Sequence, residues 1–162
     1  MEMEFHSIAH FVEHLATLHA KEALGVRHGL DRAAKLVEKA AKAEIGHYQP
    51  ASGPFPSWAE LAESTKADRV SQGYTENDPL LRSGKLRDSI GHTVEGLEAC
   101  IGSDMDIAVY QELGTKTIPP RPFLGPALFN NEHKVVKLIG EHASGALLGG
   151  SPFSYAFPGE PD

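Results

Sequence analysis

Cysteine is almost missing from this chain, and the single Cys100 excludes an intrachain disulfide and any zinc finger built on paired cysteines. It also fits synthesis in a reducing compartment. Cationic charge is scarce: 15 Lys and Arg face 22 Asp and Glu, for a formal charge of -7 at pH 7. That balance argues against affinity for nucleic acid or an anionic membrane, because a sequence-independent DNA binder needs cations to displace condensed counterions. DNA passing nearby is still allowed, since an acidic wall repels phosphate instead of trapping it. Long apolar runs are missing too. The longest uncharged stretch, Ala143 to Gly159, is dense in Gly, Ser and Pro, so it could not satisfy its backbone as a membrane helix. The opening "MEMEFHSIAHFVEHL" has acids where a secretory signal needs a basic region, so export is not expected. There is no Gly-rich phosphate loop and no Gly-x-Ser-x-Gly elbow, which leaves no assembled catalytic motif.

What is present suits one ordinary soluble domain: 162 residues, 41% hydrophobic and 23% charged. Ile8, Phe11, Val12, Leu15 and Leu18 recur at helical spacing, followed by Leu30, Ala33, Ala34, Val37, Ala40 and Ala41. Gly25 and Gly29 lie between the two sets, each weakening a helix by roughly 1 kcal/mol relative to Ala, so the expectation is one kinked long helix or a helix pair. Asp31 with Lys35 and Glu38 with Lys42 are i,i+4 pairs that mark the outer face of the second segment. Residues 47 to 57 carry three prolines and read as loop. Ser57 and Glu60 then form a capping box that predicts a short helix through Trp58, Leu61, Ala62 and Thr65. Ser89 to Val94 and Leu97 to Gly102 flank Glu95-Gly96 as a hairpin, with Ile90 facing Ile101, His92 facing Ala99, and Val94 facing Leu97. The run "DMDIAVYQELGT" predicts a helical turn or two ending at Gly114 in the left-handed conformation. Pro126 opens a last helix whose buried stripe is Leu128, Phe129, Val135, Val136, Leu138 and Ile139, up to Gly145.

Each candidate chemistry has a plainer reading beside it. His6, His10 and His14 stand at four-residue steps, a spacing at which neighbours on a helix can chelate one zinc, but turning the positions at about 100° per residue puts them opposite the apolar stripe, on a solvent face. Cys100 could be a nucleophile with His92 as base, yet the hairpin register points them to opposite faces and leaves Cys100 a small buried or half-buried apolar residue. Asp104 and Asp106 read as helix-start residues rather than metal ligands. Arg82, Lys85 and Arg87 form the strongest cationic cluster, which is either a contact for DNA or carboxylates or a solvated edge. In "TKTIPPRPFL" the prolines preset the backbone and cut the entropy lost on docking, holding Arg121 and Phe123 for an interface or for the chain's own core.

Three pieces in order then give a likeness: "LLRSGKLRDSI", "VYQELGT" and "PPRPFLGPAL". Together they resemble the tail-completion or head-tail joining (neck) proteins of tailed bacteriophages, and are similar also to the virion morphogenesis proteins of Mu-like phages, toward which "SWAELAEST" leans. The resemblance covers about residues 80 to 140. It implies an α+β protein, a small antiparallel sheet packed by a long N-terminal helix or helix pair and a C-terminal helix. The expected division is a single domain over 1–145, with an inserted loop and short helix at 47–79, and a Gly/Pro-rich tail at 146–162.

The resemblance further implies a structural virion protein, made in the host cytoplasm, that joins head to tail as a ring subunit around the DNA path. Its partners would be other copies of itself and connector or tail-terminator proteins, with no specific DNA binding, membrane, cofactor, metal or catalysis. Leu86 and Ile90 would anchor the first strand. Tyr110, Glu112, Gly114 and Thr115 would build the turn before the loop. Arg121, Pro122, Phe123, Leu124, Ala127 and Leu128 would dock the loop and start the last helix. The alternative from a different class is a metal-dependent enzyme using the N-terminal histidine face.

Overall fold

The computed structural model describes residues 7–147; His6 and the stretch 148–162 lie outside them. One helix, α1 (Ile8–Glu44), dominates. Its 37 residues span roughly 55 Å at about 1.5 Å per residue. The Ser7 side chain accepts the His10 backbone N–H at 3.1 Å, and Gly46, at φ 102, carries the chain away at the other end.

The expected alternatives of a kink or a helix pair give way to one continuous helix, because Gly25 and Gly29 serve a packing purpose. A Cβ on Gly25 would lie 2.5 Å from the His142 carbonyl oxygen, and one on Gly29 would lie 2.8 Å from the Cα of Ile139. These glycines therefore let the final helix, α6 (Glu132–Leu147), approach backbone to backbone. The pairing runs antiparallel, Gly29 meeting Leu138 and Ile139 while Gly25 meets His142 and Ala146.

The remaining elements gather at the C-terminal end of α1. They are α2 (Glu63–Ser71), α3 (Lys85–Ser89), the hairpin β1 (Gly91–Glu95) and β2 (Glu98–Gly102), α4 (Asp106–Leu113) and α5 (Leu124–Phe129). The core they close contains Val37, Ala41 and Ile45 of α1 with Trp58, Leu86, Ile90, Ala108, Phe123 and Ala127. A long N-terminal helix, a two-stranded antiparallel sheet and a C-terminal helix make this an α+β fold.

Several local expectations are corrected. The capping box does not fire: Ser57 to Ala62 is irregular and α2 begins at Glu63, because the carbonyls of Ala59 and Glu60 accept from Arg121 instead of from helix amides. The hairpin loop is Gly96-Leu97, with Glu95 paired to Glu98, His92 to Ile101 and Val94 to Ala99. Gly96 at φ 59 takes the first central position, where a type II′ turn needs glycine, which moves the turn one residue on and every cross-strand partner by two. The shift keeps each side chain on its expected face, with Cys100 opposite Thr93 and away from His92, but that face is open and Cys100 is exposed rather than buried or half-buried. Leu86 and Ile90 are core residues but belong to α3 and its C-cap, before the strand begins. The last helix is split: α5 stops at Phe129, and α6 starts at Glu132 and runs past Gly145 to Leu147. Leu128, Phe129 and Val136 of the expected stripe are exposed, whereas Val135 packs on the core.

Candidate functional site

The residues named by the motifs converge on one corner, where α4, the proline loop and α5 meet. Glu112 organises it. Its Oε2 accepts the backbone N–H groups of Phe123 and Leu124 at 2.7 and 3.0 Å, and its Oε1 accepts that of Gly125 at 2.8 Å. Those donors open α5 and would otherwise be orphans of the helix start, so a carboxylate from another helix does the work of a local cap. Glycine at 125 leaves room for the Phe55 ring, since a Cβ there would lie 2.5 Å from it and displace it.

Gly114 ends α4 at φ 74, ψ 173, a positive φ as expected but not the left-handed helical conformation. Its need for glycine is double: a Cβ would also meet the Pro120 nitrogen at 2.9 Å. Thr115 then closes the turn, its hydroxyl accepting the Thr117 and Ile118 amides at 3.3 and 3.0 Å while its own N–H donates to the Ile118 carbonyl at 2.8 Å.

Arg121 and Phe123 are both buried within the chain itself, 5% and 0% exposed. Arg121 donates through Nε to the Ala59 carbonyl at 3.0 Å and through Nη2 to that of Glu60 at 2.9 Å. Its backbone N–H is bound by the Gln111 carbonyl. Beside it, Trp58 donates its indole N–H to the Pro122 carbonyl at 2.9 Å. The Arg121 guanidinium and the Trp58 indole therefore weld the proline loop to the irregular segment before α2. Pro122 and Ala127 are buried and Leu124 packs on the core, whereas Tyr110 and Leu128 lie at the surface.

Two titratable groups lie along α1 near this corner. Glu44, at the last turn of α1, has its Oε2 buried without a hydrogen-bond partner. Burial, and then the negative charge of Glu112, pushes its carboxyl up to about 7. On the other side of α1, His92 bridges the hairpin to the helix, Nδ1 2.5 Å from Glu38 and Nε2 3.3 Å from Asp31. The expected pairs Lys35–Asp31 and Lys42–Glu38 form at 2.6 and 2.5 Å. That face is thus covered in part by β1 rather than wholly outward. Lysine hydrogen bonds first, and the His92 bonds second, hold both carboxyls below their ordinary range.

Sequence reasoning missed Arg69, 3% exposed. It donates Nε to the Thr75 carbonyl at 2.9 Å, Nη1 to that of Asp78 at 2.8 Å, and Nη2 to that of Leu81. No pattern in the polar helix "ESTKADRVS" sets it apart from its neighbours. The cationic cluster is dispersed: Arg82 pairs with Asp68 at 3.0 Å and lies over the Tyr74 ring, Arg87 pairs with Asp88, and Lys85 is exposed.

Of the histidine face, His10 is exposed and His14 half-buried, and among the described residues no group of three or more His, Cys, Asp or Glu is placed to hold a metal ion. No helix of the described residues is long and apolar enough to cross a membrane. No family model, no curated protein and no solved structure matches the chain.

Proposed function

We propose that this chain is a structural subunit of a tailed-phage virion, acting at the head-tail junction as one copy in a ring around the DNA path, without catalysis of its own. The observation that carries the reading is a pair of exposed apolar faces at opposite ends of a stiff subunit. At one end Val109, Tyr110 and Leu113 share the outer face of α4, and Leu113 is 74% exposed beside the Gly114 turn. At the other, Ile8, Val12 and Leu15 lie open on α1, with Ile8 about 40 Å along the axis from Val37 and the core. Two unlike faces far apart on one subunit suit a head-to-tail contact, which closes into a ring when every copy repeats the same rotation. The Glu112 clamp and the Arg121 fork supply the rigidity that such repetition requires.

Arg121 and Phe123 hold the corner together from inside, so they are poor probes of contact between copies; Leu113 and Ile8 are better ones. Disabling the gene in a phage that carries it, then imaging the lysate by electron microscopy, is expected to yield separate DNA-filled heads and tails or particles leaking at the neck. Leu113→Glu and Ile8→Glu should give the same particles while the purified chain unfolds at its normal temperature. Complete infectious virions from the disabled phage reject the reading.

A further inference from the structure

Arg69 and Arg121 are the two buried cations of the described residues, and they line the same cleft, an opening of about 340 Å³ between α2, α3 and α4. Neither guanidinium forms an ion pair among the described residues; each is held by neutral backbone carbonyls alone. A guanidinium has five N–H donors, so three bonds on Arg69 and two on Arg121 leave donors to spare. Burying a charge without a counter-charge is costly. Lys85 stands at the rim without an ion pair, and Arg82, also in the lining, is already committed to Asp68. No carboxylate is among the residues that line the cleft, in a chain whose acids outnumber its bases.

The lining carries two more signals. Leu61, Met105 and Ile107 give it an apolar side. Gln111, also in the lining, has its Oε1 buried with no hydrogen-bond partner, and an amide oxygen so placed asks for an N–H donor. A bare inorganic anion would meet the cations and leave both of these unmet. We infer that the cleft is a binding site for an acidic peptide segment, which offers a carboxylate to the cationic lining, an aliphatic stem to Leu61, Met105 and Ile107, and a backbone N–H to Gln111. Planar carboxylate and guanidinium match as two forks, and the volume sits at the small end of ligand pockets, enough for one acidic side chain and its immediate backbone. The inference concerns the free chain and does not depend on the ring reading.

Binding is tested by following the Arg121 Nε–H and Gln111 side-chain amide resonances of the intact protein by NMR while adding acetyl-Leu-Glu-Leu-amide. The same titration is run with acetyl-Leu-Gln-Leu-amide and with inorganic phosphate. A saturable shift is expected with the Glu peptide, at least tenfold weaker with the Gln peptide. Lys85→Glu, an exposed substitution that sets a fixed acid at the rim, should weaken the Glu peptide at least tenfold while leaving the unfolding temperature unchanged. Equal binding of the two peptides, no saturable shift, or phosphate binding more tightly than the Glu peptide would each overturn the assignment.

Discussion

The two halves of α1 carry one apolar stripe and end in opposite surroundings. Turned at about 100° per residue, Ile8, Val12 and Leu15 fall on the same side as Gly29, Ala33 and Val37. In the C-terminal half that stripe is buried under α6 and the core, whereas Ile8 is 84% exposed. The difference lies in side-chain size and in what comes alongside. Gly25 and Gly29 admit the backbone of α6, and the Ala33, Val37 and Ala41 side receives α5 and the motif corner. The N-terminal half offers large side chains to a position where the described part of α6 has already ended. Helical periodicity reports the side on which a helix can be covered; coverage depends on a second surface arriving there.

The comparison breaks most sharply at Gly29. Gly29→Ala should destabilise the fold by about 1–3 kcal/mol, since the added Cβ collides with backbone that cannot yield, although alanine is intrinsically the better helix former. Gly140→Ala, where a Cβ meets nothing within 4 Å, should instead stabilise by up to about 1 kcal/mol. Ile8→Ser, in the uncovered half, should change stability by less than about 0.5 kcal/mol. Urea midpoints of the three variants decide the matter, and a loss at Ile8 as large as that at Gly29 would show the N-terminal half to be covered as well.

Glu44 sharpens the comparison at the covered end. Its carboxyl titrates near 7 when folded, against 4.5 ordinarily, so the folded chain binds more protons than the unfolded one between those values. Stability should therefore fall as pH rises through that window and level off above it. Glu44→Gln should remove the slope and raise stability at pH 8 by about 1–2 kcal/mol, the nominal shift having been halved for solvent screening. Little change is expected at pH 4. Thermal unfolding across pH reads this out, and an unchanged slope would place the penalty elsewhere.

The smallest effect is expected at the hairpin. His92→Ala removes both contacts to Asp31 and Glu38, so amides of Gly91–Glu95 should exchange with solvent several-fold faster while α1 keeps its protection. Uniform protection in the variant would show that Ile101 and the α1 packing alone hold β1.

Much of this was legible from the residues. The helical span of α1, the helix before Gly114, the hairpin and the proline-stiffened loop follow from periodicity, glycine and proline, which act over a few residues and leave local marks. The errors share a different origin. Ser57 and Glu60 make a sound capping box, yet Arg121, about sixty positions later, claims the carbonyls that a helix there would need. Glu95-Gly96 looks like a turn, but it is Gly96 that must stand first, so the register shifts. Arg69 gave no signal at all, because its three carbonyl partners lie on a loop whose path the sequence does not state.

By itself, then, the sequence determined the long N-terminal helix, the helix before Gly114, the hairpin and the stiff proline loop. Tertiary structure alone decided that Glu112 caps a helix other than its own, that Arg121 and Phe123 turn inward, and that two unpaired guanidiniums share one cleft. Short-range backbone preferences are written residue by residue, whereas a hydrogen-bond donor's partner, or a helix face's cover, is fixed only when distant segments compete for the same space.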